Sequence, residues 1–299
     1  MPELPEVETM VRGIRSHVIN RRINDIAACP NDFKPISITP KLTLVRKKLV
    51  GCRFSEVRRL GKRIVFDISD RSNLIIEPRM TGLLLLADPP DLTHLRIQVS
   101  FQGPGEFDSL WFWDRRGLGT LTWLEPETLQ HKLGSGVLGP DALEIDVSHW
   151  TECCGKTSRE IKVLLLDQKI VAGIGNIYAS EILHHAGIHP IQPANSLNSR
   201  CIDRLAAAAR SVLSKAIECE GSTLGDGTYR NALNQNGRYQ NEHRVYMREG
   251  QTCISCQKSE IVRIVQAQRS SFFCLNCQKG KKENDRSTAK ARNKAAPPA

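Results

Sequence analysis

The clearest chemical pattern lies near the C-terminal end, where Cys253-x2-Cys256-x17-Cys274-x2-Cys277 supplies two thiolates from each of two tight turns. Four sulfurs at that spacing suit one tetrahedral Zn2+ ion, and because protein fills every position the metal is expected to be structural rather than catalytic. Its binding energy would fold a hairpin too small to hold itself together. A redox or metal-free role for the pairs is the alternative. Arg263 and Arg269 fall inside that hairpin and Arg244 and Arg248 just before it, a basic ribbon suited to phosphates, although a solvated charged face has the same composition. A second pattern, Val171-Ala172-Gly173-Ile174-Gly175-Asn176, sets two glycines ahead of a helix whose unpaired N–H groups offer a dock for phosphate.

These residues need a scaffold, and composition bounds it. The chain has 299 residues, 42 Lys+Arg and 32 Asp+Glu, a formal net charge of +10 that favours an acidic partner. From Gln278 onward there are seven Lys/Arg and two Asp/Glu, so half of that charge belongs to the tail. With 40% apolar residues a sizeable core is available, which excludes a wholly disordered or collagenous chain. No apolar run approaches the roughly 18 to 20 residues that span a bilayer, and no basic-then-apolar leader opens the chain. The expectation is a cytoplasmic protein with no membrane partner. Ten cysteines diluted over this length read as metal ligands and free thiols, not as a secreted disulfide framework.

Val7, Met10, Val11, Ile14 and Val18 recur at helical spacing, which predicts a helix over 5–18. Ile64, Phe66 and Ile68, then Leu95, Ile97, Val99 and Phe101, alternate with other residues at period two and read as half-buried strands. With the runs 83–86 and 110–113 they predict a β-sandwich or flattened barrel, followed by a linker at 134–140. Helices are expected at 161–166, 177–185 and 201–218, and 221–243, rich in Gly, Asn, Gln and Thr, reads as a long mobile loop. The fold class is α+β, divided into an N-terminal β-sandwich (1–133), a helical domain (134–245), a zinc finger (246–280) and a disordered basic tail (281–299).

The opening Met1-Pro2-Glu3-Leu4-Pro5-Glu6-Val7-Glu8 would by itself mean little more than a helix N-terminus. Taken in order with Lys62, Met80, the 166–190 segment and the four cysteines, it resembles the formamidopyrimidine-DNA glycosylases (Fpg, or MutM), and the resemblance covers nearly the whole chain except the tail. It implies a sandwich, a helix-two-turn-helix element and a zinc-finger hairpin. It also implies a bifunctional glycosylase and lyase acting on damaged double-stranded DNA as a monomer, located in the cytoplasm and on the nucleoid in a bacterium. Loss of Met1 would expose Pro2 as a secondary amine, a nucleophile able to attack deoxyribose C1′. The resemblance further implies that Glu3 moves protons at the sugar, that Glu6 faces the everted base, and that Lys62 contacts the adjacent phosphate. Asn176 and Arg269 would grip phosphates, with His94 a weaker candidate for the same task. Met80, Arg116 and Leu118 would fill the gap left by the flipped nucleotide.

Two departures stand out. Where the family commonly has His-Leu-Gly-Met-Ser-Gly, this chain reads Glu77-Pro78-Arg79-Met80-Thr81-Gly82, which puts a carboxylate where a phosphate-facing His is usual. Arg115-Arg116-Gly117-Leu118-Gly119 places Leu where Phe is usual. The expected substrates are oxidised purines such as 8-oxoguanine and formamidopyrimidines. The alternatives are a related Nei-type enzyme for oxidised pyrimidines, a damaged-DNA binder that does not excise, and a zinc ribbon joined to an unrelated enzyme.

Overall fold

The computed structural model describes residues 1–87, 89–134 and 136–279; the expected basic tail lies outside them. Leu4, Val7, Met10, Val11, Ile14 and Val18 form one buried stripe of helix α1 (Leu4–Val18). Glu3 precedes it in an extended conformation and donates its N–H to Glu6 Oε2 at 2.9 Å, while Pro5 occupies the first turn, where an N–H is not needed.

Beneath α1 lie two sheets. One has the order β1-β7-β8-β6, formed by β1 (Ile23–Ala28), β6 (Gly82–Leu85), β7 (Leu95–Phe101) and β8 (Ser109–Asp114), all antiparallel. The other is β2-β9-β5-β4-β3, with β2 (Ser37–Thr39), β3 (Phe54–Leu60), β4 (Arg63–Ile68), β5 (Asn73–Glu77) and β9 (Thr120–Leu124). Its one parallel pair is β2 with β9. Ile26, Phe54, Phe66, Leu83, Ile97 and Phe112 meet the α1 stripe in a single core, each such side chain contributing about 1.5–3 kcal/mol on leaving water.

The expectation of a half-buried strand fails for β4, and its neighbour β5 is covered on both faces as well. Val65 and Ile75, pointing away from that core, pack with Leu124 beneath Leu129 of a short helix, α3 (Thr128–Leu133). A six-residue helix is too short to leave a periodic signal. The same holds for the eight residues of α2 (Leu42–Leu49). The nine of α4 (Val147–Gly155) likewise escape sequence reading.

In the second half, α4, α5 (Ile161–Leu165), α6 (Asn176–Ala186) and α7 (Ser199–Glu218) surround a core that includes Trp150, Tyr178 and Leu213, and which Leu4 enters from α1. The hairpin β10 (Ile261–Gln266) and β11 (Arg269–Cys274) follows. Its approach is anchored by the fully buried carboxylate of Glu181, which accepts the N–H groups of Arg244, Val245 and Tyr246 at 3.0, 3.0 and 2.8 Å.

The stretch expected to be a mobile loop is largely packed. Tyr229 and Ala232 belong to the first core and Tyr239 to the second. Its polar side chains satisfy its own backbone: Asn231 Oδ1 accepts from Leu233 N and Gln235 N, and Thr223 Oγ1 from Gly237 N. The expected linker is likewise docked, with Leu138 buried and Gly139 N donating to Gln168 O at 2.9 Å.

Candidate active site

The N-terminal residues are fixed by the turn ahead of α6. Gly173, at φ +105°, takes a conformation open to glycine, and its carbonyl accepts the N–H of Leu4 at 3.0 Å. Gly175 is needed for space, since a Cβ there would lie 2.2 Å from Glu3 Cδ. The carboxylate of Glu3, 2% exposed, thereby reaches the α6 N-terminus and accepts from Ile177 N at 3.1 Å and Tyr178 N at 3.4 Å. The expected phosphate dock is thus filled by the chain's own anion, favoured by the same unpaired N–H groups and helix dipole.

Glu6 lies one helical turn deeper. Its Oε1 accepts the Tyr178 hydroxyl at 2.5 Å and Ser222 N at 2.9 Å. Burial, and after it the charge of Glu3, push its carboxyl above the ordinary range, while these hydrogen bonds pull it back. Tyr178 and Ser222 were missed in the sequence, because nothing local marks a tyrosine or a backbone N–H as a carboxylate partner.

Lys62 occupies the β3–β4 turn. Burial lowers its ammonium below the usual lysine range, and Glu3 opposes the shift. A second lysine, Lys162, is 1% exposed and donates to Ser270 O and Ser271 Oγ, both at 2.8 Å. Burial takes it down to about 7. Asn176 Nδ2 reaches the same Ser270 carbonyl at 3.0 Å, so donors from α5 and α6 hold the residue beside Arg269. The sequence signal for Lys162 was present, a single cation within the apolar run 161–165.

Two adjoining cavities share Met1 and Arg269. The larger, about 760 Å³, is lined by Glu3, Met80, Asn176 and Phe272 among others. The smaller, about 210 Å³, is lined by Pro2, Lys62, Arg63, Glu77 and Arg79. Pro2, Glu3, Lys62, Met80, Asn176 and Arg269 therefore converge, whereas Glu6 lies buried behind them. Arg116 and Leu118 sit on the exposed β8–β9 turn, which the buried Asp114 ties to the Met80 turn. Its carboxylate accepts the Thr81 hydroxyl and the N–H groups of Arg116 at 3.3 Å and Gly119 at 2.7 Å.

His94 lines neither cavity; its Nδ1 is 2.7 Å from Asp91 Oδ1 and its ring stacks on Phe33. The basic ribbon is partly engaged: Arg263 lies 3.9 Å from the Glu249 carboxylate, and Arg248 donates to the neutral amide of Gln251.

The four cysteine sulfurs lie within 4.8 Å of one another. Cys253–Cys277 at 3.8 Å and Cys256–Cys274 at 3.6 Å match the edge of about 3.8 Å that a tetrahedron with metal–sulfur bonds of about 2.3 Å requires. His184 Nε2, 3.7 Å from Cys253 Sγ, is placed to orient that ligand from α6.

Residues 1–121 match the family model of the formamidopyrimidine-DNA glycosylase N-terminal domain, and 138–227 match that of the formamidopyrimidine-DNA glycosylase H2TH domain. Formamidopyrimidine-DNA glycosylase of Desulforamulus reducens is 38% identical over 289 residues, covering 94% of this chain and all of that protein. The chain belongs to the formamidopyrimidine-DNA glycosylase family. Among solved family members, Lactococcus lactis Fpg in complex with DNA containing an abasic site superposes with a TM-score of 0.83 at 32% identity, covering 93% of this chain and 100% of that one. MutM (Fpg) of Thermus thermophilus gives 0.80 at 34% identity, covering 93% and 98%. The two family models end before the cysteine cluster, whose four sulfurs are placed to hold one metal ion.

Proposed function

We propose that this protein excises oxidised purines, 8-oxoguanine and formamidopyrimidines, from duplex DNA in base excision repair and then cuts the strand. The carrying observation is the convergence of Pro2, Glu3 and Lys62 with Asn176 and Arg269 on two joined cavities. Once Met1 is removed, the Pro2 nitrogen bonds to C1′ as the bond from C1′ to the damaged base breaks and the departing base takes a proton. The sugar ring then opens: the C1′–O4′ bond breaks, O4′ takes a proton and the nitrogen lone pair forms an iminium at C1′, from which β- and then δ-elimination release the strand on both sides of the sugar. Glu3, held on the α6 N-terminus, relays protons at the sugar ring. Lys62 and Arg269 carry positive charge to the flanking phosphates. Because burial disfavours the charged lysine, an incoming phosphate is worth more to it than to an exposed one.

Met80 would enter the gap left by the everted nucleotide, with Arg116 and Leu118 held against the orphaned base through Asp114. His94, bound to Asp91, is a phosphate ligand only if that pairing persists alongside DNA. Cys253, Cys256, Cys274 and Cys277 hold one Zn2+, which folds the hairpin bearing Arg269; its role is structural. Each catalytic part lies on one chain, so a monomer suffices, organised as a sandwich over 1–133, helices over 134–245 and a zinc finger over 246–280. Among the described residues no helix is long and apolar enough to cross a membrane.

The test is to incubate the protein with a duplex carrying one 8-oxoguanine, add borohydride, and resolve adducts on a denaturing gel. The expected result is a covalent adduct that Pro2→Gly loses, with mass spectrometry of the active protein lacking Met1. Binding without an adduct on purine lesions, pyrimidine lesions and abasic sites would instead establish a non-excising binder; an adduct confined to oxidised pyrimidines would establish the Nei-type specificity.

A further inference from the structure

The smaller cavity beside Pro2 presents four cations, Lys62, Arg63, Arg79 and Arg269, against one carboxylate, Glu77. Glu77 ends β5 and Arg63 begins β4, one step beyond the Ile64–Ile76 pair, so the two face each other across the ladder. Arg63 Nε donates to Glu77 Oε1, and Arg79 Nε lies 2.8 Å from Oε2, so each carboxylate oxygen holds one guanidinium. Arg79 reaches this position from a left-handed backbone, φ +54°, in a turn closed by Gly82 N donating to Pro78 O at 2.8 Å. A side-chain-bearing residue adopts that conformation only where its surroundings enforce it.

The carboxylate therefore does not confront DNA alone. With both arginines the unit carries one net positive charge; Arg63 has used only its Nε of five possible N–H donors, and Arg79 is held by charge through its Nε. Among the described residues the Arg63 guanidinium makes no other hydrogen bond and the Arg79 guanidinium makes none beyond its ion pair. The Glu77 side chain is 15% exposed and Arg79 56%, so the anion is recessed while a cation stands at the mouth.

We propose that Arg63, Glu77 and Arg79 form a bracket that docks a DNA backbone phosphate beside the reacting sugar. The two guanidinium groups contact the phosphate, and Glu77 is the positioning residue that aims them. The bracket replaces, in this chain, the histidine usual at position 77. It rests on the DNA-processing reading above, and Lys62 and Arg269 complete the cationic wall.

The experiment uses the full-length zinc-loaded protein and a duplex carrying a tetrahydrofuran abasic analogue, which binds but is not processed. Affinity is measured across a salt series. Arg79→Ala, whose side chain is exposed, is expected to reduce the slope of log K against log salt by about 0.9. Glu77→Gln is the sharper test because simple charge and positioning predict opposite signs. Deleting a carboxylate next to phosphates should tighten binding and steepen the slope; disorienting two guanidinium groups should weaken binding, roughly threefold to tenfold, and flatten it. Tighter or unchanged binding by Glu77→Gln, or an unaltered slope for Arg79→Ala, reduces the triad to a surface ion pair and overturns the proposal. If the unmodified protein shows no preference for the abasic duplex over an undamaged one and traps no adduct, the parent reading fails, and the bracket with it.

Discussion

Gly175→Ala isolates the placement of Glu3 more cleanly than changing Glu3 itself. The backbone at 175, φ −124° and ψ −161°, is accessible to alanine, so the cost arises from space alone. The added methyl would sit 2.2, 2.4 and 2.6 Å from Glu3 Cδ, Oε1 and Oε2, and the carboxylate must leave. It then forfeits the bond from Ile177 N, worth about 1.5–3 kcal/mol for a charged acceptor, and the surrounding shell absorbs about 1–3 kcal/mol of overpacking. At about 2 °C per kcal/mol for a chain of this size, the melting temperature should fall by about 5–12 °C. Loss of a proton relay should slow single-turnover cleavage of an 8-oxoguanine duplex by about 10²–10⁴-fold, read on a denaturing gel. Gly155→Ala is the control, since nothing lies within 4 Å of its added Cβ; it should change stability by less than about 0.5 kcal/mol. Retention of both stability and cleavage by Gly175→Ala would refute the packing argument. Lost stability with full cleavage would detach Glu3 from the chemistry.

Lys162 gives a pH signature. Its native value of about 7 lies below the ordinary 10.5, so between these limits the unfolded chain binds more protons and stability rises with pH. The burial penalty is complete below about 7 and relieved toward 10.5. The melting temperature relative to Lys162→Met should therefore climb from pH 7 to 10, and a constant difference would contradict it. Tyr178→Phe leaves buried Glu6 without its hydroxyl donor and should cost about 1.5–3 kcal/mol in denaturant titration. Chelation or Cys256→Ser should weaken duplex binding more than it reduces borohydride trapping on a short single-stranded abasic substrate, because the hairpin brings Arg269 while Pro2 is carried by the segment that leads into α1. Equal loss of both with the helices intact by circular dichroism would count against that division.

The chemical inventory was legible in the linear chain. The four thiolates and the glycine-rich turn could be read from residue type and spacing, as could α1, α6 and α7, because amphipathic periods and ligand spacings are local properties; Pro2, Glu3, Lys62 and Met80 were marked only by the resemblance to a family. Tertiary structure decided which anion occupies the α6 N-terminus, a matter of Glu3 arriving across more than 170 residues into the space left by Gly175. It also decided that Glu77 is neutralised by arginines two and fourteen residues away, that Lys162 is buried against the zinc hairpin, and that the polar 221–243 stretch is packed. Spacing specifies what a segment can offer. Burial and the distances between charges, which set its protonation and its partner, exist only after distant segments have met.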